Sequence, residues 1–134
     1  IQAIRCGYTS VMVDRSTLTF EENVREVAEI VKIAHAVGVS VEAELGHVGQ
    51  GFEYEQTRDS GLTRKEEAID FVKQTNVDAL AVSVGTSHGT YHGTPKLEFE
   101  LLADLHQMVE VPLVLHGGSA NPDSEIAEAS KRGS

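Results

Sequence analysis

A chain of 134 residues is long enough for one compact domain with a sizeable core. Its net charge of −10 and few aromatics exclude the cationic footprint that nucleic acid or an anionic membrane surface demands, so neither partner is expected. No apolar run approaches the roughly 20 residues that span a bilayer, and the single cysteine excludes an intrachain disulfide framework. Cys6, expected as a small buried apolar residue, is consistent with a cytoplasmic location. The chain opens on Ile1-Gln-Ala-Ile without the pattern of a signal peptide and ends on Lys131-Arg-Gly-Ser134. Both ends are expected to lie in helices of a longer protein.

Residues 9–14, Thr-Ser-Val-Met-Val-Asp, predict a short buried strand ending in the carboxylate of Asp14. Thr19 and Glu22 then have the spacing of a capping box. Phe20, Val24, Val27, Val31, Ala34 and Val37 follow at the period of one helix face, which stops at Gly38. The second strand, residues 39–45, carries Glu42 and Glu44 two apart, so both point to one side. Two solvated glutamates on a surface strand would be the plain reading. The apolar strands on either side fit it poorly and leave a functional role open for Glu44.

Residues 47–62 form the longest irregular stretch, read as a lid or binding loop. Glu53 or Glu55 could carry a proton there, although a solvated loop charge explains each as well. Thr63 and Glu66 suggest a second capping box, with Ala68, Ile69, Phe71 and Val72 as the buried face of a short helix. The third strand, residues 77–84, runs into Gly85-Thr-Ser-His88-Gly89 and a loop through Tyr91, Gly93 and Pro95. Phe99, Leu102, Leu105 and Val109 mark the next helical face. The fourth strand, Val111-Pro-Leu-Val-Leu, is a continuous apolar run that ends in His116-Gly-Gly-Ser119. Gly117 and Gly118 let backbone N–H groups approach a ligand and Ser119 adds a hydroxyl, a combination suited to an anion. Asn121 and Pro122 predict the N-cap and first turn of the last helix.

Strands and helices thus alternate at the size of a βαβ unit, which means α/β with a parallel sheet. Two architectures fit: four units of an eight-unit barrel, or an open doubly wound sheet. A complete barrel takes about 250 residues, so this chain holds about half of one. Asp14, Glu44, His88 and His116 all fall at the C-terminal ends of their strands, where barrels build active sites. Two imidazoles with carboxylates suit zinc or another borderline divalent ion, and the set is one ligand short of a usual zinc site. His35 and His106 fall within helices and read as surface or satisfied residues; His47 and His92 are loop residues that could approach a ligand. There is no Walker sequence, no Gly-x-Gly-x-x-Gly after a strand and no Gly-x-Ser-x-Gly elbow.

Four segments together resemble the class II, zinc-dependent ketose-bisphosphate aldolases of the fructose and tagatose branch. They are Thr9-Ser-Val-Met-Val-Asp14, Val41-Glu-Ala-Glu-Leu-Gly46, Gly85-Thr-Ser-His-Gly89 and Leu113-Val-Leu-His-Gly-Gly-Ser119. The match spans the chain, with departures at Arg15, Ala120 and the loop Gln50-Gly-Phe-Glu-Tyr-Glu55. The resemblance implies a TIM (β/α)8 barrel, of which residues 1–134 supply strands four to seven with their helices, truncated at both ends. It implies that His88 and His116 are two of three zinc-binding histidines. Gly89, Gly117, Gly118 and Ser119 would hold the dihydroxyacetone phosphate part of the substrate. Glu44, and secondarily Asp14, would serve an alternative metal position or support the first. The third histidine, the proton-transferring aspartate and strand eight would lie outside the chain, so no catalytic acid or base is assigned within it apart from the two loop glutamates.

The implied cofactors are zinc and a monovalent cation. The implied reaction is reversible cleavage of a ketose 1,6-bisphosphate to dihydroxyacetone phosphate and glyceraldehyde 3-phosphate, a lyase step of glycolysis and carbohydrate metabolism. The full-length protein would be a homo-oligomer. Lys96 is not needed as a Schiff base. Two other classes fit the residues: a non-catalytic phosphosugar- or metal-binding module, and a different metal-dependent barrel enzyme such as a hydrolase.

Overall fold

The computed structural model describes residues 1–48, 61–88 and 96–134. After a four-residue helix, α1 (Gln2–Arg5), strands and helices alternate. They run β1 (Ser10–Val13), α2 (Phe20–His35), β2 (Ser40–Leu45), α3 (Lys65–Thr75), β3 (Ala79–Val82), α4 (Phe99–Met108), β4 (Leu113–Val114) and α5 (Asp123–Arg132). A 3-10 turn, Gly118–Ala120, precedes α5. The strands lie side by side in chain order and all parallel, with Val13 opposite Ala43, Leu45 opposite Val82 and Ala81 opposite Val114. A doubly wound sheet reverses its strand order at a switch point. Among the described residues the order never reverses, which favours an arc of a barrel. Successive helices pack against one another, α2 on α3, α3 on α4 and α4 on α5.

The core forms because each helix contributes one apolar stripe and each strand one alternating face. Val41, Ala43 and Leu45 from β2, Leu80 and Val82 from β3, and Leu113 from β4 meet Val27, Val31, Phe71, Leu102 and Leu105 from the helices. Phe71, Leu80, Leu102 and Leu105 are fully buried, each contributing roughly 1.5–3 kcal/mol by removal from water. Phe20 at the start of α2 packs edge-on against Phe71 of α3, ring centroids 6.2 Å apart. The opposite, concave face carries Met12, Glu42, Glu44, Ala79, Ala81, Val114 and, past the end of β4, His116.

The Thr19 capping box forms as expected: Thr19 Oγ1 accepts the Glu22 N–H at 3.3 Å and the Glu22 carboxylate accepts the Thr19 N–H at 3.2 Å. Five other expectations are corrected. Thr63 does not cap α3; Arg64 holds that position without a side-chain bond, because the Thr63 hydroxyl is taken by the strands beneath it. Val37 lies beyond the last turn of α2 and is 62% exposed, so the stripe ends at Ala34. Cys6 sits at the C-terminal cap of the short α1 and is exposed, its sulfur accepting from Gln2 Nε2 at 3.6 Å. Pro122 rather than Asn121 is the N-cap of α5, and the Asn121 amide donates to Glu125 Oε2 at 2.9 Å. The fourth strand is also shorter than its apolar run: among the described residues β4 has a ladder partner on one side, β3.

Candidate metal and phosphate site

The ends of the strands are shaped by two backbone devices. Where β2 and β3 part, Thr63 is inserted between them: its N–H donates to Ser83 O at 2.9 Å, and its hydroxyl donates to Leu45 O at 2.5 Å while accepting the Ser83 N–H at 2.8 Å. Gly46 makes room for this, since at φ +80° a Cβ there would lie 2.6 Å from Thr63 Oγ1. Where β4 ends, Gly117 turns at φ +71°, and a Cβ on it would lie 2.8 Å from the Ser87 carbonyl carbon. The absent side chain lets the turn after His116 close onto the turn before His88, backbone to backbone. The two imidazoles stand with centroids 6.2 Å apart at 69°.

Across β3 from His116 lie the two glutamates of β2. Parallel strands are about 4.8 Å apart, so groups two strands apart meet only over small residues. The inward residues of β3 are Ala79, opposite Glu42, and Ala81, opposite Glu44 and Val114. Over these alanines the His116 Nε2–H donates to Glu42 Oε1 at 2.8 Å, while Nδ1 stands 3.9 Å from Glu44 Oε2. Glu44 is only 3% exposed. Burial pushes its carboxyl above the usual range, the nearby charge of Asp14 pushes it further, and the Val48 N–H, His116 and His47 pull it back. Ser16 Oγ donates to Glu44 Oε1 at 3.4 Å and lies 3.4 Å from His47 Nδ1. Asn23 in α2 donates to Glu44 O at 3.0 Å, tying the rim of β2 to the helix.

Of the four rim residues anticipated, His88, His116 and Glu44 are therefore gathered. Asp14 is exposed, folds onto its own turn by accepting the Ser16 N–H at 2.9 Å, and reaches Glu44 by charge. Glu53, Glu55, Gly89 and His92 lie outside the described residues. Glu42 joins the gathered residues: its place two residues before Glu44 puts it on the same face, within 2.8 Å of His116. His47 joins through Ser16, whereas His35 is satisfied by Asp78 at 2.8 Å and His106 is exposed. Imidazole and carboxylate donors fit a borderline divalent ion such as zinc in kind. In number they fall short: among the described residues no three His, Cys, Asp or Glu side chains converge on one metal position.

Gly117, Gly118 and Ser119 border a groove of about 560 Å³ that runs beside β4 to Ile126 and Ser134. Gly118 to Ala120 form a single tight turn, closed by Asn121 N–H on Gly118 O at 3.0 Å, that leads into α5. A larger cavity of about 720 Å³ lies between the starts of α2 and α3; it shares Ser16, Asn23 and His47 with the surroundings of Glu44 and touches neither His88 nor His116.

Known proteins match the chain in sequence and in fold. The family model for class-II fructose-bisphosphate aldolase matches residues 1–134. A fructose-bisphosphate aldolase of Helicobacter pylori is 47% identical over 128 residues, 92% of this chain and 41% of that protein. One of Thermus caldophilus is 47% identical over 130 residues, 94% of this chain and 43% of its own length. The chain thus spans about two fifths of these relatives. Among solved structures, the YdjI aldolase of Escherichia coli K12 superposes with a TM-score of 0.85 at 39% identity, covering 98% of this chain and 45% of that one. The fructose-bisphosphate aldolase of Campylobacter jejuni gives 0.73 at 25% identity, covering 93% and 39%. The four-stranded sheet is accordingly part of an α/β barrel, and the chain belongs to the class II fructose-bisphosphate aldolase family.

Proposed function

We propose that this chain supplies half of the active site of a longer class II aldolase that reversibly cleaves a ketose 1,6-bisphosphate. Fructose 1,6-bisphosphate is the first choice because the curated relatives are named for it. The observation that carries the reading is the pairing of the His88 and His116 rings, centroids 6.2 Å apart, with Glu44 Oε2 3.9 Å from His116 Nδ1, beside the Gly117–Ser119 turn. In this reading His88 and His116 hold zinc together with a third ligand from outside the chain, and Glu44 is the carboxylate available for an alternative metal position. Zinc, when bound, supplies Lewis acidity toward the ketone oxygen and stabilises the negative charge that C3–C4 cleavage leaves behind.

The chain's own residues do the rest of the work at this end of the site. The turn at Gly117, Gly118 and Ser119 receives a phosphate through backbone N–H groups and a hydroxyl, and the start of α5 adds its positive end. This recognition needs no lysine, which suits an acidic chain. Glu44 is buried at the rim, and Ser16 donates to its Oε1. The test is full-length His116→Ala: zinc content falls well below one per subunit and kcat/KM drops by at least about 10³, several kcal/mol of lost charge stabilisation. A variant that kept both would overturn the assignment. Comparing kcat/KM for the fructose and tagatose bisphosphates decides the configuration preferred at C4.

A further inference from the structure

Among the described residues, Glu42 is the one carboxylate of the rim that makes a short hydrogen bond to an imidazole assigned to the metal site. We propose that Glu42 is a positioning residue: by accepting the Nε2–H of His116 it fixes the Nδ1-unprotonated tautomer and makes Nδ1 the nitrogen offered to the metal. The inference rests on the reading above, that His116 is a ligand.

The argument starts from the imidazole. A neutral ring carries one N–H, and the nitrogen without it is the one able to ligate. Glu42 Oε1 lies 2.8 Å from Nε2, a good charge-assisted distance, so the proton is held on Nε2. Nδ1 stands 3.9 Å from Glu44 Oε2, beyond hydrogen-bonding reach, and makes no hydrogen bond among the described residues. The ring is thus held at one edge and open at the other. The arrangement needs both the parallel register, which sets Glu42 two residues below Glu44 on the concave face, and the alanines of β3 that let a β2 side chain reach a β4 side chain. Glu42 and His116 are each 24% exposed at the side chain, so water competes only partly for the bond. A carboxylate that orients a metal-binding histidine in this way typically affects metal affinity 10- to 100-fold when removed.

The experiment uses the full-length enzyme, stripped of metal and labelled with ¹⁵N at histidine. Ring ¹⁵N shifts at about pH 9, above the ordinary imidazole range, report which nitrogen of His116 carries the proton, with His116→Ala assigning the signal. The expected result is Nε2–H in the wild type and in Glu42→Gln, whose amide oxygen still accepts the bond. Glu42→Leu should give a mixture of tautomers. Zinc affinity by chelator competition should fall about 10- to 100-fold in Glu42→Leu, and Glu42→Gln should recover most of that loss. A role in folding alone would not move the tautomer. A wild-type ring protonated on Nδ1 overturns the proposal, and so does a folded Glu42→Leu with unchanged tautomer and zinc affinity. Should Glu42→Leu not fold, the wild-type and Glu42→Gln spectra still decide. Zinc retained in full by His116→Ala would instead remove the reading on which the proposal rests.

Discussion

At the scale of single residues, the site is held by small groups whose value lies in what they exclude or replace. Thr63 stands in for a missing rung of the ladder: its hydroxyl serves Leu45 O and Ser83 N–H at the same time, in a place where water cannot. An unpartnered buried backbone group costs about 1–3 kcal/mol. Thr63→Val, which keeps the shape and removes the hydroxyl, should therefore raise the hydrogen-exchange rate of the Ser83 amide in the full-length protein by about 10- to 100-fold, read by mass spectrometry on the β3 peptide. Thr63→Ser should leave it near the wild-type rate. Equal protection in wild type and Thr63→Val would mean that the hydroxyl is not what holds the amide. Gly117 works by absence, since a side chain there would force the two histidine-bearing turns apart.

At the scale of elements, the sheet is tied to α2 from both ends of β2. At the rim Asn23 holds Glu44 O, and at the floor Asp78 accepts from the His35 ring at 2.8 Å and from Val41 N–H at 2.7 Å. Burial raises the Asp78 carboxyl, but the hydrogen bonds from His35 and Val41 and the neighbouring imidazole outweigh it and hold the carboxyl below its ordinary value. A carboxyl depressed in the folded state stabilises above its unfolded pKa, about 3.9, and loses that contribution as pH falls through the lower folded value. Asp78→Ala should lower the unfolding free energy at neutral pH by about 1 kcal/mol, a modest figure because the side chain is 42% exposed and screened. Thermal melts from pH 7 down to about 3 should show the gap to wild type closing as the native carboxylate protonates. A gap that stays constant across that range would refute the charged contribution.

For the whole molecule, the decisive feature is an arc with two open sides. Among the described residues β1 pairs only with β2 and β4 only with β3, and Met12 on the concave face is 42% exposed. Unpaired strand edges and an uncovered apolar face favour association. Expressed alone, residues 1–134 should sediment as aggregates or oligomers and bind zinc far more weakly than the longer aldolase proposed above, since no three potential ligands converge among the described residues. Sedimentation velocity and chelator competition on the two proteins side by side check this. A monomeric 134-residue chain with stoichiometric, tight zinc would show that the arc is a binding unit in itself.

What the sequence determined by itself follows from short-range regularities. Alternating apolar faces, helical stripes and the Thr19 capping box located the strands and helices, and chain order fixed which residues end each strand, hence His88, His116 and Glu44 at one rim. The motif resemblance carried the family, as the comparisons then showed. Which side chains meet across intervening strands depends instead on the assembled sheet. Thr63 has the spacing of a cap, but its hydroxyl is drawn to the backbone groups freed where β2 and β3 diverge, an event that no local pattern encodes. Glu42 has the same spacing on its strand whether it faces solvent or His116. Its partner is set by parallel register and by the two alanines of β3, which place the imidazole that follows β4 within 2.8 Å of a β2 carboxylate 74 residues earlier in the chain.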